Sequence, residues 1–374
     1  MRGIELSLLH CQQKVNAMKK IAGMILLLAV AGTVFASGKP AYKLFNKDGR
    51  EVKYAKMMKE LQEADIIFFG ELHTDPIAHW LQMEMTGDLF HSKGDALILG
   101  AEMFEADNQL ILNEYLEERY KADKFEAEMR LWDNYQTDYK PLVEFAREHG
   151  IPFIATNIPR RYASMVHRGG FEALEELSDE AKAFMAPLPM RYDPEVKCYK
   201  DMLDMPAMGK KKPGEEEAMP GEEKVMPGAG KTMPGAEKTM PGAVKPAGEE
   251  MPMPGGAVKS AGDAPPHGMP AHGGGMAMPS MENLPKAQSA KDATMAYFIL
   301  RHWTGGKTMF HFNGSYHSDN FEGIVWHILQ ERDDLNIMTI GTVLQEDIST
   351  LDEEHLGKAS FILCVPESMT RTNR

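Results

Sequence analysis

The chain alternates short, continuous apolar runs with longer segments in which apolar residues recur every three or four positions. The short runs are residues 65–70, 96–104, 151–157, 308–314, 336–344 and 360–366. Continuous apolar runs of this length are typical of strands that are buried on both faces, as in a parallel sheet. We therefore predict six strands in one central sheet.

Helices are predicted between these strands. The segments with helical spacing are residues 54–64, 77–94, 294–304 and 319–333, with one or two further helices in 123–149. Asp75 should cap the second of these helices because Pro76 follows it, Asp107 should cap a helix that runs to Tyr120, and Pro159 should open another. Strands that alternate with helices indicate an α/β fold with a mostly parallel central sheet and helices on both faces.

A long insertion interrupts this pattern at residues 205–283. Met-Pro-Gly recurs there every seven residues, beginning at Met219, Met226, Met233 and Met240, and aromatic residues are absent. A proline and a glycine in each repeat exclude a helix, and the segment has too little apolar surface to offset its ordering entropy. We predict a disordered insert within a single domain that comprises residues 37–204 and 284–374.

The first 36 residues have the pattern of a secretory signal peptide. Lys19 and Lys20 precede an apolar stretch, and Val34 and Ala36 stand at the −3 and −1 positions of a cleavage site. Met18 is a suitable translation start, in which case residues 1–17 precede the natural start of the protein. The expected location is the periplasm or the cell surface, without a lipid anchor because no cysteine follows Ala36.

The predicted export and the net charge of the chain further limit its possible disulfide chemistry and ligands. Cys198 and Cys364 remain after cleavage, and an oxidising compartment permits a disulfide between them, but spacing alone leaves their pairing open. The net charge of −14 argues against binding to nucleic acid, which requires a basic face. The oligomeric state is left open.

Polar residues lie at or just beyond the carboxyl ends of several predicted strands. They are Glu71 and His73, Glu102, Asn157 and Arg160, and Tyr316 and His317. In an open α/β sheet, ligands bind beyond the carboxyl ends of the strands, so these residues predict one crevice. His79 faces either this crevice or the core, and the sequence favours neither. His311 lies within a strand and is expected to be structural.

Four segments together resemble the ChaN-like haem-binding proteins, which are related to the Tiki, TraB and erythromycin-esterase-like group. The segments are GELHTDPIAHWLQ (70–82), AEMFEADNQ (101–109), HGIPFIATNIPR (149–160) and NGSYHSD (313–319). The resemblance implies a role in haem or iron acquisition, with haem as ligand and an outer-membrane haem receptor as partner. In the wider group the corresponding residues form a catalytic or metal-binding set, here Glu71, His73, Glu102 and His317.

The leading hypothesis is an exported haem-binding protein. His73, Tyr316 or His317 would bind the iron, Arg160 would bind a propionate, and His79 and Asn157 would line the site. The alternative is a hydrolase in which Glu71, His73, Glu102 and His317 bind a divalent metal or transfer protons. A third hypothesis places the function in the Met-rich insert of an exported scaffold.

Native protein should begin at or near Ser37, because signal peptidase cleaves after the small residue Ala36. N-terminal sequencing of protein from the producing cells checks this. A native protein that retains Met18 would contradict both cleavage and the predicted location.

Overall fold

The computed structural model describes residues 39–204 and 281–372. Its centre is a seven-stranded sheet in the order β1-β7-β6-β2-β5-β3-β4. The strands are Lys43–Asn46 (β1), Ile66–Glu71 (β2), Leu97–Glu105 (β3), Phe153–Asn157 (β4), Thr308–Gly314 (β5), Ile337–Gln345 (β6) and Phe361–Pro366 (β7). Strands β2 to β7 pair in parallel, and only β1 pairs antiparallel, with β7. The predicted fold class is confirmed, and β1 is an additional strand.

Helices cover both faces of this sheet. They are Tyr54–Leu61 (α1), Pro76–Lys93 (α2), Gln109–Leu116 (α3), Ala122–Glu128 (α4), Lys140–His149 (α5), Arg160–Gly169 (α6), Asp179–Lys182 (α7), Lys197–Asp204 (α8), Leu284–His302 (α9) and Ile324–Leu329 (α10). A π-helical turn, Tyr135–Tyr139, leads into α5. None of the helices in the described ranges is long and apolar enough to cross a bilayer.

Strand β2 shows why the apolar runs are continuous. Ile67 and Phe69 pack into the core formed with α1, α2 and α5, whereas Ile66 and Phe68 pack against α9 and α10 on the opposite face. Alternate side chains of a strand point to opposite faces, so a strand covered on both sides must be apolar at every position. The parallel pairing of β5 with both β2 and β3 places the carboxyl ends of these strands at one edge of the sheet.

Two helix predictions need correction. Asp107 does not cap α3, because its carboxylate binds the guanidinium groups of Arg130 and Arg161. The predicted helix 319–333 is reduced to α10, since Asn320 and Phe321 have positive φ angles of 58° and 60° that interrupt a helical path. The cap at Asp75 is confirmed, because its Oδ1 accepts hydrogen bonds from the backbone N–H groups of residues 77 and 78 at 3.0 and 2.9 Å.

Several sequence predictions lie outside the described residues. These are the signal peptide and all of the 205–283 insert except its last three residues, which form a short 3₁₀ helix, Met281–Asn283. Helix α9 then begins at Leu284, ten residues before the predicted start. Cys198 and Cys364 are both buried as free thiols and form no disulfide with each other.

Gly323 should tolerate no side chain. Its φ of 55° lies in the left-handed region, and a Cβ there would lie 2.4 Å from the carbonyl oxygen of His317. We expect Gly323→Ala to lower the free energy of unfolding by about 2 kcal/mol or more. The measurement is chemical denaturation.

The matched control is Gly87→Ala, inside α2. No atom lies within 4 Å of the position where a Cβ would be added to Gly87. This variant should be as stable as the wild type or more stable by up to about 1 kcal/mol, because alanine favours a helix. Equal stability of the two variants would show that the close contact with the His317 carbonyl does not require a glycine at position 323.

Candidate functional site

The predicted crevice residues converge at the carboxyl edge of the sheet. Glu71 ends β2, Glu102 lies near the end of β3, and Gly314 ends β5. His317 follows in a short 3₁₀ turn, Ser315–His317. Since β5 lies between β2 and β3, parallel pairing brings these residues to neighbouring positions.

Glu71 is a buried carboxylate that accepts hydrogen bonds at both oxygens. Its Oε1 accepts from the Tyr139 hydroxyl at 2.6 Å and from His73 Nδ1 at 3.0 Å, and its Oε2 accepts from Gln82 Nε2 at 2.5 Å. Burial by itself raises the pKa of Glu71, but the charge of His79 and the hydrogen bond from His73 hold this pKa below its ordinary value. Glu71 is therefore an anion despite having only 1% of its surface exposed.

His79 supplies the positive charge that Glu71 requires. Its Nδ1 lies 3.6 Å from Glu71 Oε2, and its Nε2 donates to the backbone carbonyl of His73 at 3.0 Å. Burial by itself lowers the pKa of His79, but Glu71 and Asp138 raise it overall. His79 faces both the core and the site residues, since it is buried and also holds the loop that carries His73.

The loop between β2 and α2 is held from outside by residues near the end of the described chain. Arg371 Nη1 pairs with Asp75 Oδ2 at 2.7 Å, and the backbone N–H of Thr372 donates to the carbonyl of Thr74 at 2.9 Å. Asn134 Nδ2 adds a 2.8 Å hydrogen bond to the carbonyl of His73. These contacts fix the backbone on both sides of the His73 side chain.

The His73 imidazole is oriented by Glu71 and by Gly314. Glu71 only accepts, so the proton of the neutral ring lies on Nδ1 and Nε2 carries the lone pair. A Cβ added to Gly314 would lie 2.9 Å from Nε2, so a side chain larger than hydrogen would displace the ring. The rings of Trp132 and His73 pack in a T-shaped arrangement with centroids 4.8 Å apart. Within residues 39–204 and 281–372, Nε2 makes no hydrogen bond.

Glu102 and His317 form the second half of the site. Glu102 Oε2 accepts from the Gly314 backbone N–H at 2.8 Å, and Oε1 lies 3.2 Å from His317 Nε2. His317 Nδ1 donates to Asp292 Oδ1 at 2.5 Å. Burial by itself lowers the pKa of His317, but the two carboxylates raise it to about 10. His317 is therefore an imidazolium with both ring nitrogens engaged.

Asp292 and Tyr199 extend this half into the core, and the sequence analysis missed both. Asp292 Oδ2 accepts from the Tyr199 hydroxyl at 2.8 Å, and this hydroxyl lies 3.2 Å from His327 Nε2. One signal for Asp292 was present in the sequence, because Ser289, Met295 and Ala296 lie three or four positions away on the same face of α9. A carboxylate in such a helix requires a buried partner.

Tyr316, Asn157 and Arg160 occupy less central positions. The Tyr316 hydroxyl donates to the Cys198 carbonyl, and burial foremost raises the pKa of this phenol. Asn157 ends β4, and Arg160 Nε pairs with Glu105 Oε1 at 2.6 Å. His311 is buried inside β5 and binds Thr156 and Asn313, which confirms its structural assignment.

In the described ranges, Glu71, His73 and His79 do not form a group typical of a metal site. In the part of the chain that the structure describes, only Asp352, Glu354 and His355 bring three metal-ligating side chains close together, and this group lies outside the crevice on a largely exposed turn. The oxygens of Glu71 already accept hydrogen bonds from three side chains, which leaves this carboxylate poorly placed to activate a water molecule.

The ion pairs of His317 should make stability depend on pH. The folded pKa of about 10 lies above an unfolded value of about 6.5. The stabilisation by His317 is therefore complete below pH ~6.5 and is lost as the pH rises towards 10, with a size on the order of 5 kcal/mol. Denaturation of wild type and His317→Gln across this range should show a steeper loss in the wild type.

Two variants complete this test. Asp292→Asn removes one of the two carboxylates and should reduce the pH dependence even if His317→Gln fails to fold. His91→Gln, on the exposed surface of α2, should keep the wild-type profile. Identical slopes for wild type and Asp292→Asn would show that His317 does not titrate as the contacts indicate.

Comparison with solved structures supports the fold. The chain superposes on the ChaN of Campylobacter jejuni, described in cofacial haem binding, with a TM-score of 0.53 and 15% identity over 86% of this chain and 96% of that one. The type III effector HopBA1 gives a TM-score of 0.36 at 10% identity over 84% of this chain and 92% of that one.

Sequence comparison assigns the family. The Arabidopsis thaliana protein RETICULATA-RELATED 5, chloroplastic, is 25% identical over 138 residues, which cover 35% of this chain and only 18% of the plant protein. The family model described as haem-binding uptake, Tiki superfamily, ChaN matches residues 57–328. This match covers most of the chain and confirms the resemblance, so the chain belongs to the ChaN family of haem-binding uptake proteins.

Proposed function

We propose that this protein binds haem after export and serves haem or iron acquisition. The observation that carries the proposal is the family match over residues 57–328, which includes every residue of the crevice described above. The N-terminal pattern that ends at Ala36 supports export. Haem delivered by an outer-membrane receptor would be the ligand, and the protein would hold it for transfer.

The donor set at the carboxyl edge fits a haem iron. Histidine that binds a metal through one ring nitrogen commonly donates the other N–H to a carboxylate, which fixes the ring and increases its basicity. His73 has this arrangement, with Nδ1 bound to Glu71 and Nε2 without a hydrogen bond in the described structure. We therefore assign the axial ligand to His73.

The other two candidate ligands are less suited. His317 is protonated, with Nδ1 bound to Asp292 and Nε2 paired with Glu102, so it has no lone pair for iron. Tyr316 would have to lose a proton from a buried phenol whose hydroxyl is bound to the Cys198 carbonyl. Ligation by either residue requires breaking these contacts, whereas ligation by His73 requires no rearrangement of its own hydrogen bonds.

The protein residues then have separate tasks. Bound haem would supply an iron that His73 Nε2 could bind. Glu71 keeps the proton on His73 Nδ1, Gly314 leaves space for the ring, and Trp132 shields one side of it. The ion pair of Glu102 and His317 holds the N–H of Gly314 and thus the β5 end against which His73 packs.

Haem titration of the mature protein tests this function. Wild type should give a saturable shift of the Soret band, and His73→Ala should change the position of the band and weaken binding by about tenfold or more, because an iron–imidazole bond is lost. Gly314→Ala should have a similar effect without removal of any donor atom. His91→Ala is the control and should bind as the wild type does.

The titration distinguishes the ligand assignment from the function. A wild-type protein without a saturable Soret shift would contradict haem binding itself. If wild type binds and His73→Ala keeps the same spectrum, then the function stands and the axial ligand is another residue. Tyr316→Phe, which removes only an oxygen, would then identify a tyrosinate ligand by its change of spectrum.

A further inference from the structure

The loop that carries His73 joins β2 to α2 through residues 72–75, and its backbone is hydrogen-bonded throughout. The carbonyl of residue 72 accepts from the N–H of residue 75 at 2.7 Å. The carbonyl of His73 accepts from the side chains of His79 and Asn134 at 3.0 and 2.8 Å. The carbonyl of residue 74 accepts from the backbone N–H of Thr372 at 2.9 Å. A segment far along the chain therefore completes the hydrogen bonding of this loop.

That segment, residues 367–372, reaches the loop from β7. It crosses the carboxyl end of β6, where the N–H of residue 367 donates to the carbonyl of residue 345 at 3.0 Å. Strand β6 separates β7 from β2, so the segment covers about 10 Å. At its far end, Arg371 Nη1 pairs with Asp75 Oδ2 at 2.7 Å, and Thr372 Oγ1 donates to Asp138 Oδ1 at 3.3 Å. The segment thus joins the start of α2 to the π-helical turn.

The ion pair between Arg371 and Asp75 does more than complete the cap of α2. Asp75 caps this helix through Oδ1 alone, which leaves Oδ2 for the guanidinium group. The side chain of Asp75 has no exposed surface, and that of Arg371 is 30% exposed, so the pair is largely shielded from solvent. Charge-assisted hydrogen bonds are stronger than neutral ones, and this one acts on the residue that ends the loop.

The 367–372 segment approaches His73 from the side of β6 and β7. The Nε2 atom of the His73 ring faces Gly314, at the end of β5. Strand β2 lies between β6 and β5, so the segment and Nε2 are on opposite sides of the strand that carries the loop. The segment therefore holds the loop without covering the nitrogen that would bind iron.

On the basis of the proposed function, we propose that Arg371 is a positioning residue for the iron ligand His73, and that the 367–372 segment thereby sets the affinity for haem. His73 is competent to bind iron only while its loop keeps Nε2 beside Gly314. When the loop samples other conformations, the apparent affinity falls in proportion to the competent fraction of molecules. Glu71 orients the ring, whereas the 367–372 segment holds the backbone that carries it.

A double-mutant cycle tests this positioning role. Arg371→Ala should weaken haem binding by about tenfold and change the Soret band, because a smaller fraction of molecules presents His73 to the iron. The second pair of proteins carries His73→Gly and is titrated with haem in the presence of free imidazole. This imidazole supplies the axial ligand without any link to the loop. Arg371→Ala should therefore leave the affinity and the spectrum of the His73→Gly protein unchanged.

Two further variants separate positioning from a loss of folding. Arg371→Lys keeps a cation for Asp75 and should bind haem more tightly than Arg371→Ala does. The combination of Arg371→Ala with Asp75→Asn leaves no unpaired charge, and asparagine still offers an oxygen to the N–H groups of residues 77 and 78. This double variant should give a cooperative thermal melt and still bind haem about tenfold more weakly than the wild type.

The matched control is Arg119→Ala. Arg119 pairs with Glu117 at 3.1 Å on the surface, and both side chains are largely exposed. The variant removes an arginine from an ion pair, as Arg371→Ala does, but this pair makes no contact with the β2–α2 loop. It should bind haem with the affinity of its parent protein both with His73 and with His73→Gly plus imidazole.

The outcomes are distinguishable. Equal losses of affinity with His73 and with free imidazole would show that Arg371 supports the fold as a whole, which overturns this inference. An Arg371→Ala variant that binds haem as the wild type does also overturns it. If wild type binds haem and His73→Gly binds it equally well without imidazole, then the axial ligand is another residue, and this inference fails while haem binding stands. A wild-type protein that does not bind haem overturns the proposed function, and this inference with it.

Discussion

The buried anion of Glu71 is the constraint on which the rest of the site depends. A carboxylate that has left water must be compensated by donors and a nearby cation, or it becomes protonated. Tyr139, His73 and Gln82 donate to it, and protonated His79 supplies the charge. These partners come from the π-helical turn, the β2–α2 loop and α2, so one charge holds three segments together.

A second buried ion pair, between Glu102 and His317, repeats this arrangement on the neighbouring strands. Asp292 compensates the imidazolium from α9, and the N–H of Gly314 completes the hydrogen bonding of Glu102. The two halves meet where His73 packs against Gly314. The contact requires a glycine, and it converts two separate ion networks into one rigid edge of the sheet.

The sequence was sufficient for the sheet and for the first motif. Continuous apolar runs located six of the seven strands because double burial leaves no polar position in a strand, and Asp75-Pro76 located the start of α2. β1 is only four residues long, too short to give a period. Asp107 was misread as a cap because the local pattern contains no sign of Arg130, which lies 23 positions later.

The sequence predicted only some of the site residues, for a related reason. Residues directly after strands can be placed at the edge from topology alone, which is how Glu71, His73, Glu102 and His317 were found. Tyr139, Asp292 and Tyr199 reach the same network from helices, and no rule of spacing relates a helical residue to a partner 25 to 93 positions away. Their tertiary contacts had to be observed.

The hydrogen bond between Tyr199 and Asp292 joins residues that are 93 positions apart. It lies just inside the two points at which α8 ends and α9 begins. Because both helices are anchored to the same buried network, this hydrogen bond fixes the points at which the chain leaves and re-enters the domain around residues 205–280. The fold thus provides a place where sequence can diversify during evolution without disturbing the chemistry of the crevice.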